Sequence, residues 1–366
     1  MKLGDIIQEI DIRNNFNKLS LSSVRGVSID KKFILTKANM EGVSLSGYKI
    51  VNSLCICYVP VTSRNGEKIS LALNESDEDY IVSSTYVVLK SKNDKLIYMP
   101  FLNIYMRRSE FDRLSRFNSW GSARETLNTS ELYEFKISLP SIKIQHQYAD
   151  AYNSLKKLAE QNEAMIKPLQ EFCTGFMAKM IKEYRMEKLG SFIEEINSRN
   201  ENNCFGVDSL MGVCCDGIFI NTIAKTQGLS LKNYKIVNTG AFAYSNRINV
   251  GSIALNKNKD CIISPSYSVF KIKDEKRSEL MEDYLNIFFH RSEFLRQTLF
   301  YAYGTIKDDF KHNEMCRVKI PLPPIEVQES IVAIYKCAEK ARSIAERARE
   351  EMKRICPAMI QRAAHQ

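Results

Sequence analysis

The chain is nearly the same sequence written twice, and no other feature constrains its fold as strongly. Residues 2–52 return as residues 188–238 without a gap, and 25 of the 51 paired positions are identical. The motif Tyr-Lys-Ile-Val-Asn closes both segments, and further matches continue at a slightly shorter offset. Such a chain has to fold one unit twice. The repeat therefore predicts pseudo-two-fold symmetry and similar contacts at two places on a long partner.

The charge of the chain favours a polyanionic partner. Its formal net charge is +9 and its pI is near 8.9. Excess Lys and Arg favours nucleic acid, because neutralising phosphates releases condensed counterions. Mild basicity also serves solubility in many proteins, so the charge supports this partner class without deciding it.

Length and composition indicate an ordinary globular protein with two domains. The 366 residues allow two domains of about 145 residues with separate cores. No apolar run approaches the roughly 20 residues that span a membrane, and the N-terminus lacks a signal-peptide pattern. We expect a cytoplasmic protein.

The ten cysteines predict neither a disulfide framework nor a metal site. They are scattered, and most have no counterpart in the other copy, although a disulfide framework would have been duplicated with the fold. Zinc sites use wider Cys or His spacing than Cys55-Ile56-Cys57, and the four histidines lie far from any cysteine pair. We expect reduced, mostly buried thiols and no metal.

The pattern of each copy predicts an α+β domain. Short β-rich runs bounded by turn residues come first, then a stretch with helical spacing, a glycine turn, and a short strand that ends in proline. The β-rich runs are 48–58, 80–89, 234–244 and 261–272, and the helical stretches are 98–114 and 281–299.

A long helix follows each domain. Apolar residues alternate at three- and four-residue spacing after position 146 and again after position 328, which predicts a coiled coil between the two segments. Two ordinary core helices, each on its own domain, are the alternative. Pro168 is expected to bend the first helix. The predicted boundaries are 1–145 and 187–327 for the domains, and 146–186 and 328–366 for the helices.

Two similar domains held apart by a helical rod could measure distance along a polymer. A helix of about 38 residues is about 57 Å long. Duplex DNA rises about 3.4 Å per base pair, so such a rod could place two contacts on one face of the duplex.

The sequence resembles the specificity (S) subunit of Type I restriction-modification systems. The resemblance covers the whole chain in the order domain, helix, domain, helix. It rests on the Lys-Leu-Gly opening of each half, on two Ser-rich turns that end in tyrosine, and on two Gly-Ser/Thr-x-Arg/Lys turns. The most specific match is the proline-rich strand end that runs into a glutamine-led helix at 320–329, with a degraded version at 137–145.

The resemblance implies a fold and a role. The fold would be two pseudo-two-fold-related α+β target-recognition domains, joined and separated by two long antiparallel coiled-coil helices. Each domain would read one half of a bipartite, asymmetric DNA sequence. The helices would dock two adenine methyltransferase (M) subunits, and restriction (R) subunits would join through the complex. The chain itself would bind no cofactor, because S-adenosylmethionine, ATP and Mg²⁺ belong to the partner subunits.

The residues independently argue against catalysis by this chain. We find no amino-methyltransferase motif, no glycine-rich cofactor loop, no P-loop and no duplicated carboxylate pair. Pro323-Pro324 lies between Leu322 and Ile325, which does not fit the methyltransferase motif.

Residues matched between the copies are candidates for phosphate contacts, because phosphate contacts carry no sequence information. Arg13 and Arg199 are expected on phosphate, with an intradomain ion pair as the alternative. Arg124 and Lys307 follow glycines that permit a close backbone approach, and we expect them to contact DNA. Tyr86 and Tyr267 could place a hydroxyl on DNA; a half-buried strand tyrosine is the alternative.

Unmatched polar residues are candidates for reading bases in the major groove. Arg25 faces Met211 in the internal alignment, and the loop with Arg64 faces the loop with Arg247. We expect base contacts there. Trp120, opposite Tyr303, is expected in the core, with a stacking platform as the alternative.

Two other functions remain compatible with the sequence. One is the same architecture in a methylation-only or other phage-defence complex. The other is a protein–protein scaffold whose basic charge is incidental.

Overall fold

The chain forms two compact units, each with one globular domain. The computed structural model describes residues 1–36, 38–63, 66, 68–121, 124–222, 228, 230–246, 252–301 and 310–364, without the side chains at 295, 299–301 and 356–364. The units are Met1–Glu160 with Ile344–Gln366, and Gln161–Ser343. We call the globular parts domain 1 (1–141) and domain 2 (184–324).

Domain 1 combines short strands with short helices ahead of the first long helix. The strands are β1 (Ile7–Ile10), β2 (Arg25–Val27), β3 (Phe33–Leu35), β4 (Lys49–Val51), β5 (Ile56–Tyr58), β6 (Leu71–Leu73), β7 (Tyr80–Val82) and β8 (Val87–Ser91). The helices are α1 (Leu3–Ile6), α2 (Met99–Met106), α3 (Ser109–Phe117), α4 (Thr129–Tyr133) and the long α5 (Ile142–Glu183). The main antiparallel sheet has the order β1-β8-β5-β6, and β2 pairs with β3 and β4 with β7.

Domain 2 repeats this arrangement. Its strands are β9 (Met186–Lys188), β10 (Ile193–Glu195), β11 (Met211–Val213), β12 (Phe219–Asn221), β13 (Lys235–Val237), β14 (Phe242–Ser245), β15 (Ile253–Leu255), β16 (Cys261–Ile263), β17 (Tyr267–Ile272) and β18 (Lys319–Pro321). Its helices are α6 (Glu282–Phe289), α7 (Ser292–Tyr301), α8 (His312–Met315) and the long α9 (Ile325–Ala364). The main sheet, β10-β17-β14-β15, matches that of domain 1 strand for strand. The predicted α+β class is confirmed.

Both long helices enter the core of each unit. In the first unit, Ala149 and Tyr152 of α5 and Met352 of α9 join the core of domain 1. In the second unit, Met177 of α5 and Ile331 of α9 join the core of domain 2. Each unit thus packs the start of one helix beside the end of the other, which is an antiparallel pairing. Each helix also packs on the domain that precedes it. The apolar stripe therefore serves both purposes considered from the sequence, namely pairing between the two helices and packing of each helix on its own domain.

The predicted apolar stripe is the buried face of each helix. The spaced alanines of α9 are all buried, namely Ala338, Ala341, Ala345 and Ala348. The small side chains allow a close approach of neighbouring backbones. Helix α5 begins at Ile142 rather than at 146 and ends at Glu183 rather than at 186. It stops there because Met186–Lys188 leaves the helix to pair with β18. Helix α5 continues through Pro168 as one element.

A buried glutamine fixes the start of each long helix to its domain. The Gln145 amide donates to the carbonyls of Leu96 and Pro140, both at 2.9 Å, and its oxygen accepts from the Tyr98 amide at 2.9 Å. Gln145 is 1% exposed. The side chain therefore joins three separate backbone positions at the point where the domain becomes a helix.

The second copy repeats this geometry. The Gln328 amide donates to the carbonyls of Glu279 and Pro323 at 2.7 and 2.9 Å, and its oxygen accepts from the Met281 amide at 3.0 Å. Gln328 is 0% exposed. We call each set of three hydrogen bonds the glutamine lock. It explains why a glutamine follows the proline-rich strand end in both copies.

A second duplicated contact shapes the loop after the first strand. The Asn14 side chain donates to the Leu19 carbonyl and accepts from the Leu19 amide, both at 2.9 Å. Asn200 makes the same pair of bonds with Phe205, at 2.9 and 3.0 Å. Both asparagines are buried. Matched polar residues thus serve the frame of each domain.

One ion pair between domain and helix is duplicated with its charges exchanged. In the first unit Glu75 pairs with Lys156 of α5. At the corresponding place in the second unit Lys257 lies 3.9 Å from Glu339 of α9. Partly exposed pairs of this kind contribute only about 0–1 kcal/mol. The acidic residue lies on the domain in the first unit and on the helix in the second. The charge on each domain is therefore complementary to the charge on its own helix.

We predict that Gln145→Ala destabilises the first unit. The substitution removes the side-chain partner of the carbonyls of Leu96 and Pro140 and of the Tyr98 amide, and a group left unpaired while buried, as at Pro140, costs about 1–3 kcal/mol. Urea unfolding should report the loss, and hydrogen exchange should accelerate around Leu96–Tyr98 and at the start of α5. Gln147→Ala is the matched control, because Gln147 is exposed on the same turn of helix. Equal stability of the two variants would contradict the lock.

Candidate nucleic-acid interface

Several predicted contact residues of domain 1 lie along one edge of its main sheet. Strands β1 and β5 both end where β8 begins, since Ile10 pairs with Val88 and Tyr58 with Val87. The described residues that continue from these ends are 11–18, 59–63, 68–70 and 83–86. We call them, with the turn 120–126 described next, the loop edge of domain 1.

The glycine turn joins this edge through backbone hydrogen bonds. The Thr62 amide donates to the Glu125 carbonyl at 2.9 Å, and the Leu127 amide donates to the Pro60 carbonyl at 2.9 Å. Thr126 forms bridges with both Val61 and Trp120. The loop predicted to read bases and the turn predicted to contact DNA are therefore side by side, although about 60 residues separate them in sequence.

Domain 2 has a corresponding loop edge, and its described residues are 197–204, 245–246, 252 and 264–267. Ser245, the last residue of β14, pairs with Tyr267, the first residue of β17. The Phe310 amide donates to the Asn246 carbonyl at 3.0 Å, which ties the segment after the second glycine turn to the loop after β14. The Ser268 hydroxyl donates to the Asn246 side chain at 2.6 Å.

Arg13 and Arg199 hold the frame at this edge. The Arg13 guanidinium donates to the Gly47 carbonyl at 2.8 Å and forms an ion pair with Asp11, which lowers the pKa of that carboxyl. Arg199 donates to the Asn233 carbonyl at 2.8 Å, the equivalent position. Arg13 thus forms the intradomain ion pair that was the alternative to a phosphate contact. A phosphate contact by either arginine stays a prediction.

The two candidate tyrosines are half-buried at the start of a strand. Tyr86 packs beside the small core around Val88, and burial raises the pKa of its hydroxyl. Tyr267 packs on the matching core around Val269. Their rings thus support the domains, as the alternative interpretation expected, and DNA contact by their hydroxyls stays a prediction.

Arg25 is held by its own domain. Its guanidinium donates to the carbonyls of Ser22 and Val24 at 2.6 and 3.0 Å and lies 4.6 Å from the centre of the Tyr80 ring. These contacts occupy the side chain on the surface of β2. Base reading by Arg25 would require it to leave them.

Arg124 is placed as a contact residue would be. Its side chain is exposed, and within the described part of the chain no hydrogen bond or ion pair involves it. Gly121 has φ +145°, and a Cβ there would lie 2.2 Å from the Arg124 carbonyl oxygen. Only glycine fits, because it permits this backbone conformation and has no Cβ. The backbone of Gly121 therefore approaches the backbone of Arg124 closely. This tight turn leaves the Arg124 side chain exposed to solvent.

Three candidate residues lie outside the described residues, namely Arg64, Arg247 and Lys307. Their roles stay as predicted from the sequence.

The sequence prediction for Trp120 is wrong. Trp120 is 63% exposed rather than buried, and Phe117 and Leu114 just before it are 76% and 39% exposed. Arg113, Arg116 and Arg124 lie in the same segment. A sequence signal for this surface exists in the repeated spacing Phe-x-x-Trp-Gly and Phe-x-x-Tyr-Gly of the two copies.

Among the described residues, no group of three or more His, Cys, Asp or Glu side chains could hold a metal ion. No helix of the described chain is long and apolar enough to cross a membrane. The cysteines with described side chains are free thiols.

Solved structures resemble this fold over nearly its full length. The S subunit of a Type I restriction-modification system from M. genitalium is 10% identical, with 99% of this chain and 95% of that chain covered and a TM-score of 0.58. The HsdS subunit from Thermoanaerobacter tengcongensis is 19% identical, with 99% and 95% covered and a TM-score of 0.39. At these identities the first likeness supports the fold alone. No curated protein matches the sequence.

A family model matches the sequence itself twice, once for each half. The model describes the Type I restriction modification DNA specificity domain, and it covers residues 29–171 and 165–354. The two matches agree with the duplicated domains and helices described above. The chain therefore belongs to the family of Type I restriction-modification specificity subunits.

Proposed function

We propose that this chain is the DNA-reading subunit of a Type I restriction-modification complex. In this proposal each domain reads one half of a bipartite, asymmetric target. Two adenine methyltransferase subunits dock on the chain, and restriction subunits join through the complex. The chain is cytoplasmic and contributes recognition rather than catalysis.

The observation that carries the proposal is the contrast between a duplicated frame and unlike loop edges. The glutamine locks and the buried asparagines recur bond for bond in the two domains. The loops that follow β5 and β14 differ in length and sequence. Two identical methyltransferase subunits need similar docking surfaces, whereas two unlike half-sites need unlike reading surfaces.

The proposed contacts follow from this division. Arg124 and Lys307 contact phosphates beside the glycine turns, and Arg64 and Arg247 read bases from the variable loops. Arg13, Arg199, Tyr86 and Tyr267 support the same edges from within the frame and contact DNA from there. Arg25 is the weakest member of the set, because its guanidinium already has partners in its own domain.

The proposal assigns no cofactor to this chain. S-adenosylmethionine, ATP and Mg²⁺ belong to the methyltransferase and restriction subunits. The absence of catalytic motifs from the sequence supports this assignment. A methylation-only complex would use the same surfaces, and the presence of a restriction gene beside this one distinguishes the two assemblies.

We predict that deleting this gene removes one bipartite N6-methyladenine motif from the host methylome. Sequencing that detects methylated adenine, with and without the gene, makes the comparison. Restoring the gene on a plasmid should restore the motif. An unchanged methylome in a host that expresses the methyltransferase would contradict the proposed function and favour a scaffold.

We predict that Arg124→Ala weakens binding of the complex to its target duplex and reduces the salt dependence. Loss of one phosphate contact lowers the slope of log K against log salt by about 1. Arg185→Ala is the control, because Arg185 is an exposed arginine beyond the loop edges, in an ion pair with Glu187. Identical slopes for wild type and Arg124→Ala would remove Arg124 from the interface.

A further inference from the structure

The end of α3 and the turn after it expose three large apolar side chains at three-residue spacing. Leu114 and Phe117 lie on one face of the helix, and Trp120 follows its last residue. Monomeric proteins rarely expose contiguous apolar side chains without a partner. Trp120 lies on the loop edge of domain 1, and this position points to the partner that the edge is proposed to read.

The backbone beneath these side chains is fixed. The Trp120 amide donates to the Thr126 carbonyl at 3.0 Å, and the Thr126 amide donates back at 2.9 Å. The Asn118 and Ser119 side chains donate to carbonyls of α3 at 2.8 and 2.7 Å. Gly121 then makes the tight turn that only glycine allows. The rings are thus displayed on a preorganised support, which lowers the entropic cost of binding.

Three arginines lie near the rings, two of them in ion pairs with glutamates. Arg124 is exposed beside Trp120, and Arg116 lies one residue before Phe117, where it pairs with Glu125. Arg113 lies one turn earlier and makes only a loose, exposed pair with Glu110 at 3.7 Å. Exposed aromatic rings among arginines match nucleic acid, because bases stack on the rings while cations contact phosphates.

Comparison of the two copies favours DNA over a methyltransferase subunit at this surface. The aromatic positions are kept, as Phe117 and Trp120 in one copy and Phe300 and Tyr303 in the other. Their neighbours change, since Leu114 aligns with Gln297 and Arg116 with Leu299. Identical protein partners would meet matching neighbours. Stacking tolerates any base, so unlike half-sites can share the rings while the residues around them differ.

We infer that the indole ring of Trp120 stacks on a base of the half-site that domain 1 reads, with Phe117 as the adjoining apolar contact. A ring can reach a base face in a duplex only where a step is opened or kinked. Part of the sequence preference of domain 1 then comes from how readily that step opens, without hydrogen bonds to base edges. This inference rests on the proposed function.

The only tryptophan of the chain reports directly on this contact. The full chain is titrated with the duplex that carries its methylated motif, and with a duplex in which the first half-site is scrambled. Stacking should quench the indole emission and shield it from iodide with the first duplex and much less with the second. Unchanged emission and iodide quenching on binding the target would overturn the inference.

Binding by variants of the methyltransferase complex gives the second test. Trp120→Leu keeps an apolar side chain without a π-face and should weaken target binding by about 5- to 140-fold. Trp120→Phe, which keeps a ring, should recover most of the affinity. Equal affinity of all three proteins would sink the stacking contact while leaving the proposed function intact.

Two further results have clear meanings. If Trp120→Leu loses the methyltransferase subunits but keeps DNA affinity, the ring contacts protein and the inference is wrong. If the wild-type complex binds both duplexes equally, the proposed function fails first and the stacking contact with it.

Discussion

The architecture depends on one buried side chain in each half, the glutamine at the start of the long helix. The side-chain amide group of Gln145 donates two hydrogen bonds and its oxygen accepts one, and Gln328 does the same. In each domain one partner is the proline just before the long helix, and the other two lie just before α2 or α6. Replacing either glutamine removes three hydrogen bonds at once, one of them fully buried. The direction of each helix relative to its own domain is therefore set by hydrogen-bond geometry as well as by apolar packing.

A frame built in this way leaves other parts of the domain free to vary. The strand pairings of the two main sheets agree, and the buried asparagines make the same bonds. The loops that follow β5 and β14 differ in length and sequence, and the domain–helix ion pairs exchange their charges. In the proposed complex, one frame carries two different reading surfaces and offers two similar surfaces to identical partner subunits.

The sequence predicted the frame well because the repeat and the apolar periodicity encode it directly. The α+β class, the pairing of the two long helices and the buried alanines of α9 follow from these patterns, whereas the antiparallel direction was implied by the family resemblance. Contacts between residues far apart in the sequence could not be predicted from these patterns. Nothing in the sequence shows that Thr62 lies beside Glu125, or that the Arg13 guanidinium is taken by Asp11 and Gly47. Trp120 was misplaced because a large aromatic ring is usually buried, and its exposure depends on the fixed turn beneath it.

In the proposed complex the loop edges read bases and the duplicated frame does not. A graft tests it most directly, with residues 59–70 replacing 245–252 and residues 120–126 replacing 303–309, so that domain 2 carries part of the loop edge of domain 1. The motif methylated by this variant complex is then sequenced. We predict that the second half of the motif changes while the first half and the spacer stay the same. A variant that still methylates the original motif, or one whose first half changes instead, would contradict this account.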